Sequence, residues 1–118
     1  MAARVKAGIL STEVADVSVR DLADWIHKVP DLCVVDVREA WELKISGLPC
    51  ARHIPMRQIL EDPLKLPEDA PVVLICRNGL RTAVLMYWLQ EQGFRNVYNV
   101  LGGLNAWSSE VDPTMRQY

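Results

Sequence analysis

Val72-Val73-Leu74-Ile75-Cys76-Arg77-Asn78-Gly79-Leu80-Arg81-Thr82 is the stretch that decides the fold. Four consecutive apolar residues read as a strand buried on both faces, and a helical pattern begins near Leu80. A buried strand thus delivers Cys76 into a short loop that rolls into the N-terminus of a helix. Backbone N–H groups and the positive end of the helix dipole favour an anion at such a point. Arg77 and Arg81 add two positive charges. The position suits a reactive thiolate.

Outward from this stretch, strand and helix patterns alternate. On the N-terminal side, residues 1–11 read as a loose tail and residues 12–17 as a short edge strand. Ser18 with Asp21 resembles a capping box, and Val19, Leu22, Ala23, Ile26 and Val29 recur at helical spacing until Pro30. Residues 32–37 form a second apolar run of strand length. Residues 39–45 read as a short helix, 47–49 as a turn, 52–55 as a very short strand and 56–60 as a helical turn. Residues 61–71 hold Pro63, Pro67 and Pro71 and read as a surface loop. On the C-terminal side, the helix over 80–92 is apolar almost all round, so it is expected to be largely buried, and Gly93 stops it. A third strand over 97–101, Gly102-Gly103, a last helix over 104–110 and an exit tail from Pro113 complete the chain.

This alternation predicts an α/β domain over residues 12–112, with a mostly parallel sheet covered by helices on both faces. Ligands of such open sheets bind beyond the carboxyl ends of the strands. Cys76 falls at the end of one strand, Asp36 and Arg38 at the end of another. Two signals therefore meet at one sheet edge.

Composition narrows the function. A chain of 118 residues, 50% hydrophobic and 24% charged, can bury a core without disulfides or metal. Its formal charge of −2 gives no basic excess for nucleic acid. No apolar run approaches the roughly 18 residues of a membrane span. Met1–Thr12 lacks the apolar core of a secretory signal. Cys33, Cys50 and Cys76 are odd in number and lack C-x-x-C spacing, which argues against a disulfide framework or a tetrahedral zinc site. These features predict a reducing, cytoplasmic setting, a monomer and no cofactor.

The loop itself has the parts an anion needs. An unperturbed thiol has a pKa of about 8.5, and cations with aimed N–H donors lower it. Gly79 permits a backbone twist that lets successive N–H groups converge, and Asn78 tolerates left-handed geometry. Thr82 can cap the following helix or turn its hydroxyl into the loop. The competing reading makes Cys76 an inert buried cysteine, but two arginines, a glycine and a helix start within six residues weigh against it.

Cys76-Arg77-Asn78-Gly79-Leu80-Arg81-Thr82 resembles the active-site loop of single-domain rhodaneses, C-R-x-G-x-R-[ST]. Four further segments agree in order and spacing: Val35-Asp36-Val37-Arg38-Glu39 with Trp41-Glu42, Ala51-Arg52-His53-Ile54-Pro55, Gly93-Phe94 with Val97-Tyr98, and Leu101-Gly102-Gly103-Leu104 with Ala106-Trp107. Val111-Asp112-Pro113 followed by Tyr118 is similar to the end of rhodanese domains of molybdopterin-synthase-activating enzymes. The resemblance implies sulfur transfer. Cys76 would take a sulfane sulfur from an anion such as thiosulfate and pass it to cyanide, a thiol or an acceptor protein. Residues Arg77, Asn78, Gly79, Leu80, Arg81 and Thr82 would bind the donor, with Arg77 and Arg81 holding its charge. Asp36 and Arg38 would brace the loop, or form no more than a structural ion pair.

The chain departs from that pattern at Gly47 and Cys50, where the family usually has histidine and glycine. The loss of the histidine removes a tie from this turn. Cys50 is either a packed substitute or a second thiol able to resolve a persulfide. Cys33 reads as core, His27 as solvated, His53 as structural, and Trp25, Trp41, Trp88 and Trp107 as packing residues. Cysteine-dependent phosphatases, among them the dual-specificity cell-cycle phosphatases that share this fold, use a loop one residue longer; the shorter ring here suits one sulfur better than a phosphate. A persulfide carrier with little turnover is the other alternative. Mercaptopyruvate is disfavoured as donor, because its enzymes carry C-G-S-G-V-T at the loop.

Overall fold

The computed structural model describes residues 15–118. The expected tail over 1–11, and residues 12–14 of the expected edge strand, lie outside the described residues. Strand β1 (Asp16–Val17) leads into helix α1 (Val19–Lys28), whose N-cap Ser18 accepts the Asp21 N–H at 3.0 Å. There follow β2 (Cys33–Asp36), α2 (Ala40–Leu43), β3 (Arg52–His53), α3 (Met56–Glu61), β4 (Val72–Ile75), α4 (Leu80–Glu91), β5 (Val97–Val100) and α5 (Gly103–Glu110). The proline-rich segment carries a 3-10 turn over Pro63–Lys65, capped by Asp62; it was expected as plain loop, and a single turn is too short to show a period.

All five strands are parallel, in the order β1-β5-β4-β2-β3. Every residue of β2, β4 and β5 is buried, as continuous apolar runs require in a sheet covered on both sides. From β2 the chain moves outward to β3, and from β4 it moves the opposite way to β5. Right-handed connections send these two crossovers to opposite faces, which opens a crevice at the carboxyl ends of β2 and β4. The segments after both strands border that crevice. No described helix is long and apolar enough to cross a membrane.

Helix α4 corrects one expectation. It buries Thr82, Leu85, Met86 and Leu89 along one side, packed on β4 and β5, while Leu80, Val84 and Tyr87 are exposed. Apolar residues on the outer side concealed the helical period from the sequence. Residues 113–118, expected to lead away, instead return along α5. The Ser108 hydroxyl donates to the Met115 carbonyl at 2.7 Å, and the Gln117 amide donates to Ser109 Oγ at 3.1 Å.

The start of α5 is locked onto the β4–α4 loop. Leu104 N–H donates to the Cys76 carbonyl and Asn105 N–H to the Arg77 carbonyl, both at 2.9 Å. Gly103 allows this approach at φ +57°; a Cβ there would strike the Cys76 carbonyl oxygen and come within 2.7 Å of the Arg77 carbonyl. Gly103→Ala is accordingly expected to cost more than about 1 kcal/mol and lower the thermal midpoint. Gly47→Ala, whose Cβ would only touch Arg38 Nη2 at 3.4 Å, should leave it nearly unchanged. Equal melting curves for both variants would contradict this packing.

Candidate active site

Strand β4 ends at Ile75 and places Cys76 beneath the loop Cys76–Gly79. Gly79 is the N-cap of α4 and takes φ +87°, which turns its N–H onto Cys76 Sγ at 3.2 Å. The same glycine fits close to the Val100 carbonyl and the Gly102 N–H. Asn78 departs from expectation: no non-glycine residue among those described has positive φ, and its side chain instead accepts the Leu80 N–H at 3.1 Å. This is an Asx turn, which occupies the Leu80 N–H within the loop.

Thr82 does not cap the helix. Its hydroxyl lies 3.3 Å from Cys76 Sγ and donates to Asn99 Oδ1 at 2.5 Å, while Asn99 Nδ2 donates to Asp16 Oδ1 at 3.2 Å. A polar chain therefore runs from the sulfur across β5 to the sheet edge. Cys76 is fully buried, so a reagent reaches it only when surrounding groups move aside. Burial alone would also fit an inert core cysteine; the Gly79 N–H aimed at its sulfur is a donor that a plain core position does not need.

At the end of β2, Arg38 is 0% exposed and Asp36 is 2% exposed. All five guanidinium donors of Arg38 have acceptors. Nε and Nη2 donate to the Asp36 carboxylate (3.0 and 2.8 Å), and Nη2 also to the Ser46 carbonyl (2.6 Å). Nη1 donates to the Glu42 carbonyl (3.3 Å) and to Tyr118 Oη (2.8 Å). Burial works against the Arg38 charge, but Asp36 and Tyr118 outweigh it and raise its pKa. The bond to Ser46 ties down the turn at Gly47. Behind this group, His53 Nε2–H donates to the Arg38 carbonyl at 2.7 Å.

Glu42 joins the two sides of the crevice, and sequence reasoning assigned it no role. Its carboxylate, 3% exposed, accepts Arg81 Nη1 and Nη2 at 2.9 and 2.8 Å, the Glu39 N–H at 2.9 Å and the Tyr118 hydroxyl at 2.7 Å. The Arg81 bonds outweigh burial and hold its pKa down at about 2. Arg81 is raised in turn, chiefly by Glu42. Tyr118 was also missed. The guanidinium of Arg77 lies over its ring, 4.8 Å from the centroid, and the Trp41 ring packs against it edge-to-face with centroids 6.3 Å apart. The pairing of Trp41-Glu42 with the last aromatic residue was the signal available. Burial pushes the Tyr118 hydroxyl up, and it pushes the exposed Cys50 thiol up as well, which opposes a ready Cys50 thiolate.

A family model for the rhodanese-like domain matches residues 18–110. YtwF of Bacillus subtilis, named as a candidate sulfurtransferase, is 39% identical over 101 residues, covering 86% of this chain and 97% of that protein. The adenylyltransferase and sulfurtransferase MOCS3 of Drosophila yakuba is 32% identical over 118 residues; the match covers 93% of this chain and 26% of that protein. Among solved structures, a rhodanese-related protein from Thermoplasma volcanium superposes with a TM-score of 0.74 at 29% identity, covering 82% of this chain and 93% of that one.

Two outcomes test this geometry. Arg38→Lys keeps the charge but loses the planar fork and should destabilise the fold by about 3 kcal/mol, read by denaturant unfolding. Glu42 has a folded-state pKa below its unfolded value of about 4.3, so its contribution is present above that pH and is lost as pH falls towards 2. Stability of the native protein should therefore fall between about pH 5 and 2 more steeply than that of Glu42→Gln. Parallel pH profiles would contradict the assignment.

Proposed function

The chain belongs to the rhodanese-like family, and from that premise we propose that it is a sulfurtransferase working through a Cys76 persulfide. The Cys76 thiolate attacks the outer sulfur of thiosulfate. A new S–S bond forms, the S–S bond of the donor breaks, and sulfite leaves with the electron pair. A nucleophilic acceptor then takes the outer sulfur, and the Cys76 thiolate is restored. Cyanide serves as acceptor in an assay, and a thiol or a partner protein serves in its place otherwise.

The observation that carries this reading is the Gly79 N–H aimed at Cys76 Sγ from the N-cap of a twelve-residue helix. On the other side Thr82 Oγ1 lies 3.3 Å from the sulfur, with its proton given to Asn99 Oδ1. Four residues separate Cys76 from Arg81, and this short ring favours a single transferred sulfur over a tetrahedral phosphate. The burial of Cys76 also supports the carrier alternative, because a closed site holds a persulfide better than it turns over small molecules.

Incubation with thiosulfate should yield protein one sulfur atom heavier, with the adduct on Cys76, and cyanide should remove it as thiocyanate. Cys76→Ala should abolish both. A stable adduct with negligible thiocyanate would favour the carrier. Phosphate release from p-nitrophenyl phosphate with no adduct would overturn sulfur chemistry altogether.

A further inference from the structure

We propose that Tyr118 is a positioning residue that aims Arg77, and that Arg77 rather than Arg81 receives the anionic sulfur donor. This deepens the sulfur-transfer reading and rests on it.

The two loop arginines are not equivalent. Arg81 directs both terminal nitrogens onto the Glu42 carboxylate, so its charge is matched by a buried partner and two of its donors are spent. Arg77 is exposed and has no carboxylate partner among the described residues. Its guanidinium lies on the face of the Tyr118 ring. Held over the ring by its charge, the guanidinium keeps the N–H donors that point away from the ring for an oxyanion. With Arg38 matched by Asp36 and Arg81 by Glu42, the one uncompensated charge in this group belongs to Arg77.

The ring is fixed for this purpose. The Tyr118 hydroxyl donates to Glu42 and accepts from Arg38, both on the β2 side of the crevice, while its ring meets Arg77 on the β4 side. Residues 113–118 are tied back to α5 through Ser108 and Ser109, which sets the height of the ring. A flexible, exposed arginine would lose side-chain freedom on binding an anion; one held over the ring has lost part of it already. Tyr118 thus acts on the donor through Arg77, without touching the reacting sulfur.

The test is thiosulfate binding to Cys76→Ala protein, which cannot turn over, followed by isothermal titration calorimetry. A surface cation–π contact of about 1 kcal/mol corresponds to roughly fivefold in affinity. Tyr118→Leu should weaken binding about fivefold, Tyr118→Phe, which keeps the ring, by less than about twofold, and Arg77→Ala at least as much as Tyr118→Leu. In the Arg77→Ala background, Tyr118→Leu should add nothing, because its effect passes through Arg77. Additive losses in that double variant, or unchanged binding in Arg77→Ala, would overturn the inference. The Arg77→Ala arm stands even if Tyr118→Leu does not fold. Failure of the native protein to form a persulfide while these affinities behave as stated would overturn sulfur transfer alone and leave the anion receptor in place.

Discussion

A guanidinium sealed from water organises this molecule. The cost of burying the Arg38 charge is high, and it is offset only where the ion is paired and its donors are all used. Satisfying the five donors fixes four separate pieces of chain: the end of β2 at Asp36, α2 at the Glu42 carbonyl, the turn at Ser46, and Tyr118. Loss of any one acceptor leaves a buried donor unpaired. The geometry around Glu42, and through it the placement of Arg81, follows from this constraint.

The thiol side is built by different means. Here the sheet supplies position and the backbone supplies polarity. The strands are all parallel, but the chain winds outward to opposite sides from β2 and β4, which opens the crevice, and Gly79 turns its N–H onto the sulfur. The first N–H groups of α5 then hold the carbonyls of Cys76 and Arg77 from behind. Glycine at 103 is what permits helix and loop to touch. The two halves join at the Glu42–Arg81 pair, which spans the crevice from α2 to α4. Charges within this junction cancel pairwise, so the field left over for a small anion comes from the loop N–H groups and Arg77.

Much of this was legible in the sequence, for identifiable reasons. Continuous apolar runs at Val72–Ile75 and Leu32–Val37 announce strands buried on both faces, and with the intervening helical patterns they fix the sheet type and the end at which Cys76 lies. Gly79 was readable because its position demands a turn next to a thiol. What escaped was long-range. Glu42 reads as one more surface acid on a short helix, since nothing local shows that Arg81, 39 positions away, comes to meet it. Tyr118 sits in a polar stretch after Pro113, where sequence alone indicates an exit; its role depends on a return path set by Ser108 and Ser109. Asn99 is masked by its neighbours in β5, although a buried polar residue in an apolar strand must find a partner and finds Thr82. The outer face of α4 misled in the opposite sense, because Leu80, Val84 and Tyr87 are apolar and exposed.

The central claim is that the loop over β4 holds a sulfur anion on Cys76. A crystal structure of thiosulfate-treated protein, with anomalous scattering to locate sulfur, tests it most directly. The account predicts one additional sulfur bonded to Cys76 Sγ, lying inside the loop within hydrogen-bonding reach of its backbone N–H groups. Additional sulfur on Cys33 or Cys50, or an unmodified Cys76 in protein that has consumed thiosulfate, would contradict it.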